Sequence, residues 1–68
     1  MAERSNAQVV HQLKNDLAVI VGFCDLVIAE TPDGDSRKAD LLEVHRAARD
    51  AMAVIPDVAR RLHAAEEQ

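Results

Sequence analysis

His11 heads the run His11-Gln12-Leu13-Lys14-Asn15-Asp16-Leu17, which places an imidazole, two amides and an amine within little more than one helical turn. Imidazole offers an unprotonated nitrogen near neutral pH, so an exposed histidine can act as a nucleophile or carry a proton. A spacing of four puts Asn15 on the same helical face as His11, close enough to interact with it or with a group bound to it. The Gln12 amide can orient the ring but cannot take a proton from it. Each residue also has a plainer reading, as a surface histidine or a solvated polar side chain. The remaining ionisable residues form no persuasive site. His45 falls beside an apolar seam and His63 near the chain end, without His or Cys partners at metal spacing. Asp25, Asp50 and Asp57 do not pair into an acid–base couple. Cys24 is the single cysteine and has aliphatic neighbours, which excludes an internal disulfide and reads as a buried, inert thiol.

The elements that carry these residues are helical. Ser5 followed three residues later by Gln8 has the form of a capping box, so a helix is expected from about Asn6. Within it Val10, Leu13, Leu17, Ile20, Cys24 and Val27 recur in alternating steps of three and four, the spacing of helices packed knobs into holes. Val9, Val21, Phe23 and Ile28 widen that stripe, enough to touch both a helix of the same chain and one from another subunit. Leu17 to Phe23 is rich in β-branched residues, but the seam continues on both sides and no strand-like alternation is present. Thr31-Pro32-Asp33-Gly34-Asp35-Ser36 is dense in turn formers and marks a reversal. Ser36 or Asp35 can cap a second helix with the seam Leu41, Val44, Ala48, Ala51, Ile55, Val58 and Leu62. Two long helices joined by a short turn lie antiparallel. His11 sits one residue past Val10, off the contact stripe and pointing outward.

Composition narrows the function classes. Hydrophobic residues make up 49% of the chain and aromatics 1%, so the core must come from Leu, Val, Ile and Ala on repeating helical faces. A chain of 68 residues buries too little surface to be comfortably stable as one hairpin, and a partner subunit is expected. Its net charge of −4 gives no attraction to phosphate backbones or anionic lipid, which argues against nucleic-acid or membrane-surface binding. The apolar run from Leu17 to Cys24 is far shorter than the roughly 20 residues of a membrane-spanning helix. With no export pattern at the start, the chain reads as soluble and cytoplasmic.

The box His11-Gln12-Leu13-Lys14-Asn15-Asp16-Leu17, with Ala18-Val19-Ile20-Val21-Gly22-Phe23 and Asp25-Leu26 after it, resembles the dimerisation and phosphoacceptor (HisKA-type) domain of two-component histidine kinases. The resemblance continues into Leu41-Leu42-Glu43-Val44-His45-Arg46-Ala47-Ala48 and covers roughly residues 7 to 62. It implies that His11 accepts a phosphoryl group from ATP and passes it to an aspartate of a response-regulator receiver domain. It implies further that Lys14 is the basic residue of the box, and that Asn15 orients the water that removes phosphate from the regulator. Two positions depart from the pattern. Gln12 stands where the family usually has an acid that takes the ring proton, and Asp16 where a helix-bending Pro is common. Pro56, expected opposite His11, removes a backbone donor and collides with the carbonyl of Met52, so a bend near residue 56 is expected in the second helix.

Neither glycine, Gly22 nor Gly34, belongs to a phosphate-cradling loop, so no cofactor is expected in this chain itself, and ATP would come with a separate histidine-kinase catalytic domain in cis or in trans. The chain is then either a piece of a larger kinase or a free-standing phosphotransfer protein. The expected architecture is all-α, one domain over 1–68, with helices over about 6–30 and 37–63 and a turn at 31–36. Such a hairpin dimerises into a four-helix bundle that displays His11 on its outside. Arg60, Arg61 and Pro56 are the expected contacts for the regulator, against a plainer reading of Arg46, Arg49, Arg60 and Arg61 as a solvated face. A dimeric adaptor or decoy that binds a kinase without turnover is the alternative, favoured by Gln12. An RNA-binding hairpin needs a basic stripe that scattered arginines do not provide.

Overall fold

The computed structural model describes residues 4–67, so the ends of the expected 1–68 domain, residues 1–3 and 68, lie outside the described residues. Two helices, α1 (Asn6–Glu30) and α2 (Arg37–Glu66), form an antiparallel hairpin measuring 54 × 25 × 12 Å. No helix among the described residues is long and apolar enough to cross a membrane.

Local chemistry sets the helix ends. At the start of α1 the Ser5 hydroxyl accepts from Gln8 N at 3.1 Å while Gln8 Oε1 accepts from Ser5 N at 2.8 Å, which completes the capping box. At its end Thr31 Oγ1 donates to Val27 O at 2.6 Å and Thr31 N to Ile28 O at 3.1 Å, closing the last turn before Pro32. Asp35 rather than Ser36 caps α2: its Oδ1 accepts from Arg37 N at 2.9 Å, and Ser36 makes no side-chain capping bond. Lys38 ties the turn together, with Nζ donating to Thr31 O at 3.2 Å and to Asp33 Oδ1 at 2.6 Å. The Lys38 hydrogen bond holds the Asp33 carboxyl below its ordinary 3.8, and the Arg37 guanidinium does the same to Asp35.

The contact line between the helices differs in phase from the sequence expectation. On α1 the shielded apolar residues are Val10, Leu17, Val21, Cys24 and Ile28, whereas Leu13, Ile20 and Val27 are exposed. On α2 they are Leu41, Ala48, Ala51, Met52, Ile55, Ala59 and Leu62, with His45 among them, whereas Val44 and Val58 are exposed. The reason is that α1 carries apolar residues on both sides of the shared positions 10, 17 and 24. Both a three-first and a four-first alternation can therefore be read in its sequence, the four-first one interrupted by Lys14. The fold uses the four-first phase, which turns the other set into a second stripe.

Among the described residues only Ala48, at 7% exposure, and Ile55, at 6%, are buried. His45, placed beside the seam by its sequence position, lies in it. Its side chain is 17% exposed, and its buried Nε2 is 2.7 Å from Asp25 Oδ1, close in distance but not aligned as a hydrogen bond. Among the described residues this is the one ion pair that joins α1 to α2. Helix α2 continues as a single element through Pro56.

Gly22 lies inside α1, and a Cβ there would meet nothing within 4 Å. Gly22→Ala should therefore raise stability by about 0.5–1 kcal/mol through the lower backbone entropy of the unfolded chain. Urea denaturation followed by circular dichroism should show a higher midpoint with an unchanged slope.

Candidate functional site: the His11 cleft

His11 is positioned by the helix that the Ser5 box starts. It is the residue immediately after seam residue Val10, so it projects to one flank of the contact line. The same relation places Pro56 after Ile55 and His63 after Leu62 on α2. In an antiparallel pair, residues that follow the seam on each helix share one face of the hairpin, and residues that precede it share the other. Two clefts agree with this. One, of about 400 Å³, brings together His11, Lys14, Pro56 and His63 with Val10 and Ile55 at its floor. The other, near the turn, brings Val27 and Val44 together on the opposite face.

The His11 cleft lies at the open end of the hairpin. Met52, Ala59 and Leu62 complete its apolar wall, and Asn6, Ala7 and Glu66 close its far end. His11 itself is exposed, as a nucleophile must be for a donor to reach it. Lys14 is exposed and supplies positive charge beside it. Such a cleft is within the volume range that admits a small polar group flanked by apolar wall.

The other residues singled out from the sequence are placed as follows. Asn15 is exposed on the His11 flank but does not line the cleft. Gln12 Nε2 donates to Asp16 Oδ1 at 2.9 Å, so the two residues that depart from the phosphoacceptor pattern are bonded to each other along α1. Pro56 lines the cleft next to His11, whereas Arg60 and Arg61 do not. Both arginines are engaged by Asp57: Arg60 Nη2 pairs with Asp57 Oδ1, and Arg61 Nε lies 3.1 Å from Asp57 Oδ2. Arg46 is similarly occupied, between Glu43 and Asp50.

The residue that sequence reading passed over is His63. Its Nε2 lies 2.9 Å from Glu67 Oε1, and the ring lines the cleft with His11. Its position one step after a seam leucine, matching that of His11 after Val10, was the available signal.

Comparison with protein-family models, with curated proteins and with solved structures found no match to this chain.

The three imidazoles differ in access, with the His63 side chain 72% exposed, His11 exposed and His45 17% exposed. Brief treatment with diethyl pyrocarbonate should modify His11 and His63 well before His45. Peptide mass spectrometry over time measures the order, and early modification of His45 would contradict the helix phase described above.

Proposed function

We propose that this hairpin is a dimerisation and histidine phosphoacceptor domain of the two-component type, in which His11 takes a phosphoryl group from ATP and a response-regulator aspartate removes it. The observation that carries this reading is the division of labour between the two faces of the hairpin. Val9, Leu13, Ile20, Phe23 and Val27 on α1 and Val44, Val54 and Val58 on α2 are exposed, and all but Leu13 immediately precede a seam residue, while the exposed Leu42 follows one. They form a second apolar stripe on the face opposite His11. Exposed apolar stripes of this kind mark surfaces that a protein partner covers.

A second copy of the hairpin placed on that stripe gives a four-helix bundle with one continuous core. His11 of each subunit then stays in solvent, on the outside, beside a cleft that admits a donor. ATP is held by a separate catalytic domain, because the chain offers no glycine-rich loop for phosphates. The regulator docks over the His11 flank, with Pro56 as the central contact and Arg60 at its edge, whereas Arg61, which precedes the seam residue Leu62, falls on the other flank.

A second reading has one observation in its favour. Gln12 is bonded to Asp16 and cannot act as a base, so a dimeric hairpin that binds a kinase as adaptor or decoy, without turnover, fits the same face arrangement.

Incubation with ATP and a histidine-kinase catalytic domain, or with a phosphorylated response regulator, should place acid-labile phosphate on the wild type and none on His11→Ala. Label that persists without His11 would refute the assignment, and a wild type that binds the kinase but is never labelled would favour the adaptor. Sedimentation across concentration should show a dimer. Phe23→Glu, which sets a charge into the stripe at a side chain now 65% exposed, should shift it to monomer or unfolded chain. A wild-type chain that stays folded as a monomer at all concentrations would exclude the bundle.

A further inference from the structure

When a neutral imidazole attacks phosphorus, the ring nitrogen that does not attack must give up its proton, and some group near the ring must accept it. Gln12, the immediate neighbour, is an amide with no basic lone pair, and its Nε2 is committed to Asp16. Asn15 is likewise an amide, and Lys14 is a cation. Among the described residues the cleft contains two other ionisable side chains, His63 and Glu66, both from the last turns of α2. Glu66 stands almost one turn beyond His63, further from His11 along the axis. His63 occupies the flank that His11 occupies, one residue past the seam. Its Nε2 lies 2.9 Å from Oε1 of Glu67, a carboxylate four residues on along the same helix. A base whose ring is oriented by a third, acidic group is the arrangement that activates nucleophiles in general.

We infer that His63, oriented by Glu67, is the proton acceptor for His11, so that α2 supplies across the cleft what Gln12 cannot supply from α1. The inference rests on the phosphoacceptor reading. In the step, the unprotonated ring nitrogen of His11 forms a bond to the γ-phosphorus of a nucleoside triphosphate. The bond from that phosphorus to the bridging oxygen breaks, and the nucleoside diphosphate leaves with its electron pair. The proton on the other ring nitrogen of His11 passes to Nδ1 of His63, directly or through one water, and the resulting imidazolium is balanced by Glu67. The charged groups around this path are Lys14 from α1 and Glu66, Glu67 and Arg60 from α2. Lys14 offsets the charge of the incoming phosphates, while Arg60 is already paired with Asp57.

The test is the initial rate of acid-labile phosphorylation of the full chain by ATP and a separate histidine-kinase catalytic domain. His63→Ala should slow labelling of His11 by about a hundredfold, the scale of a lost general base, with helix content and dimerisation unchanged. Free imidazole added to His63→Ala should restore the rate in proportion to its unprotonated form, which a purely structural loss would not allow. His63→Gln, which preserves size and polarity, should be as slow as His63→Ala. Labelling of either variant at the wild-type rate, or a slow His63→Ala that imidazole does not rescue, would overturn the role of His63 and leave His11 as phosphoacceptor. Absence of label from the wild type would overturn the phosphoacceptor reading and this inference with it.

Discussion

One line of contact between α1 and α2 governs everything else in this hairpin. Each helix presents a single row of side chains to the other, and two of the places on α2 are filled by Ala48 and Ala59, which let the backbones approach. The row is not uniformly apolar. His45 interrupts it and meets Asp25 from α1 at 2.7 Å. The apolar residues provide the attraction, and His45 Nε2, which has no hydrogen-bond partner in this register, lies 2.7 Å from Asp25 Oδ1. That register in turn decides which residues of α2 stand beside His11.

Choosing one phase of the seam also divides the remaining surface. Residues just before the seam are mostly apolar, as in Val9, Ile20, Phe23, Val54 and Val58, with Asp16, Asp40 and Arg61 among the charged exceptions, and residues just after it include His11, Asp25, Arg49 and His63. The separation is a property of the sequence pattern acting through helical geometry: a shift of one position around the axis is 100°. A partner that covers the apolar face therefore approaches from the side away from the imidazoles. Covering that face would leave His11 open to solvent.

The sequence made some of this legible. Ser5 and Gln8 announced the start of α1 because a capping box depends only on residues three apart, and the Thr31–Ser36 cluster announced the reversal because Pro32 cannot continue a helix. The phase of the seam was not legible. With Leu13 and Ile20 on one side of the shared positions and Val21 and Ile28 on the other, hydrophobicity alone does not say which set faces the neighbouring helix and which waits for another surface. The same ambiguity displaced His45, whose burial follows only once Leu41 and Ala48 are known to flank it in the row. His63 was hidden for a different reason. Its pairing with Glu67 is local, but its nearness to His11 depends on the register of two segments separated by more than fifty residues, and no single window of sequence contains both.

The turn and the open end are not equivalent mechanically. Lys38 clamps Thr31 and Asp33, and Asp35 holds the first residue of α2, so the reversal behaves as a stiff fulcrum. From there to His11 the first arm extends for about 20 residues, or roughly 30 Å at the helical rise. Tilting one arm by five degrees about that fulcrum displaces its far end by about 2–3 Å, enough to widen or close the gap between the imidazoles of the two arms. Because no comparable side-chain clamp joins the two arms at the opposite tip among the described residues, any twist or splay imposed on the arms is expressed most strongly beside His11.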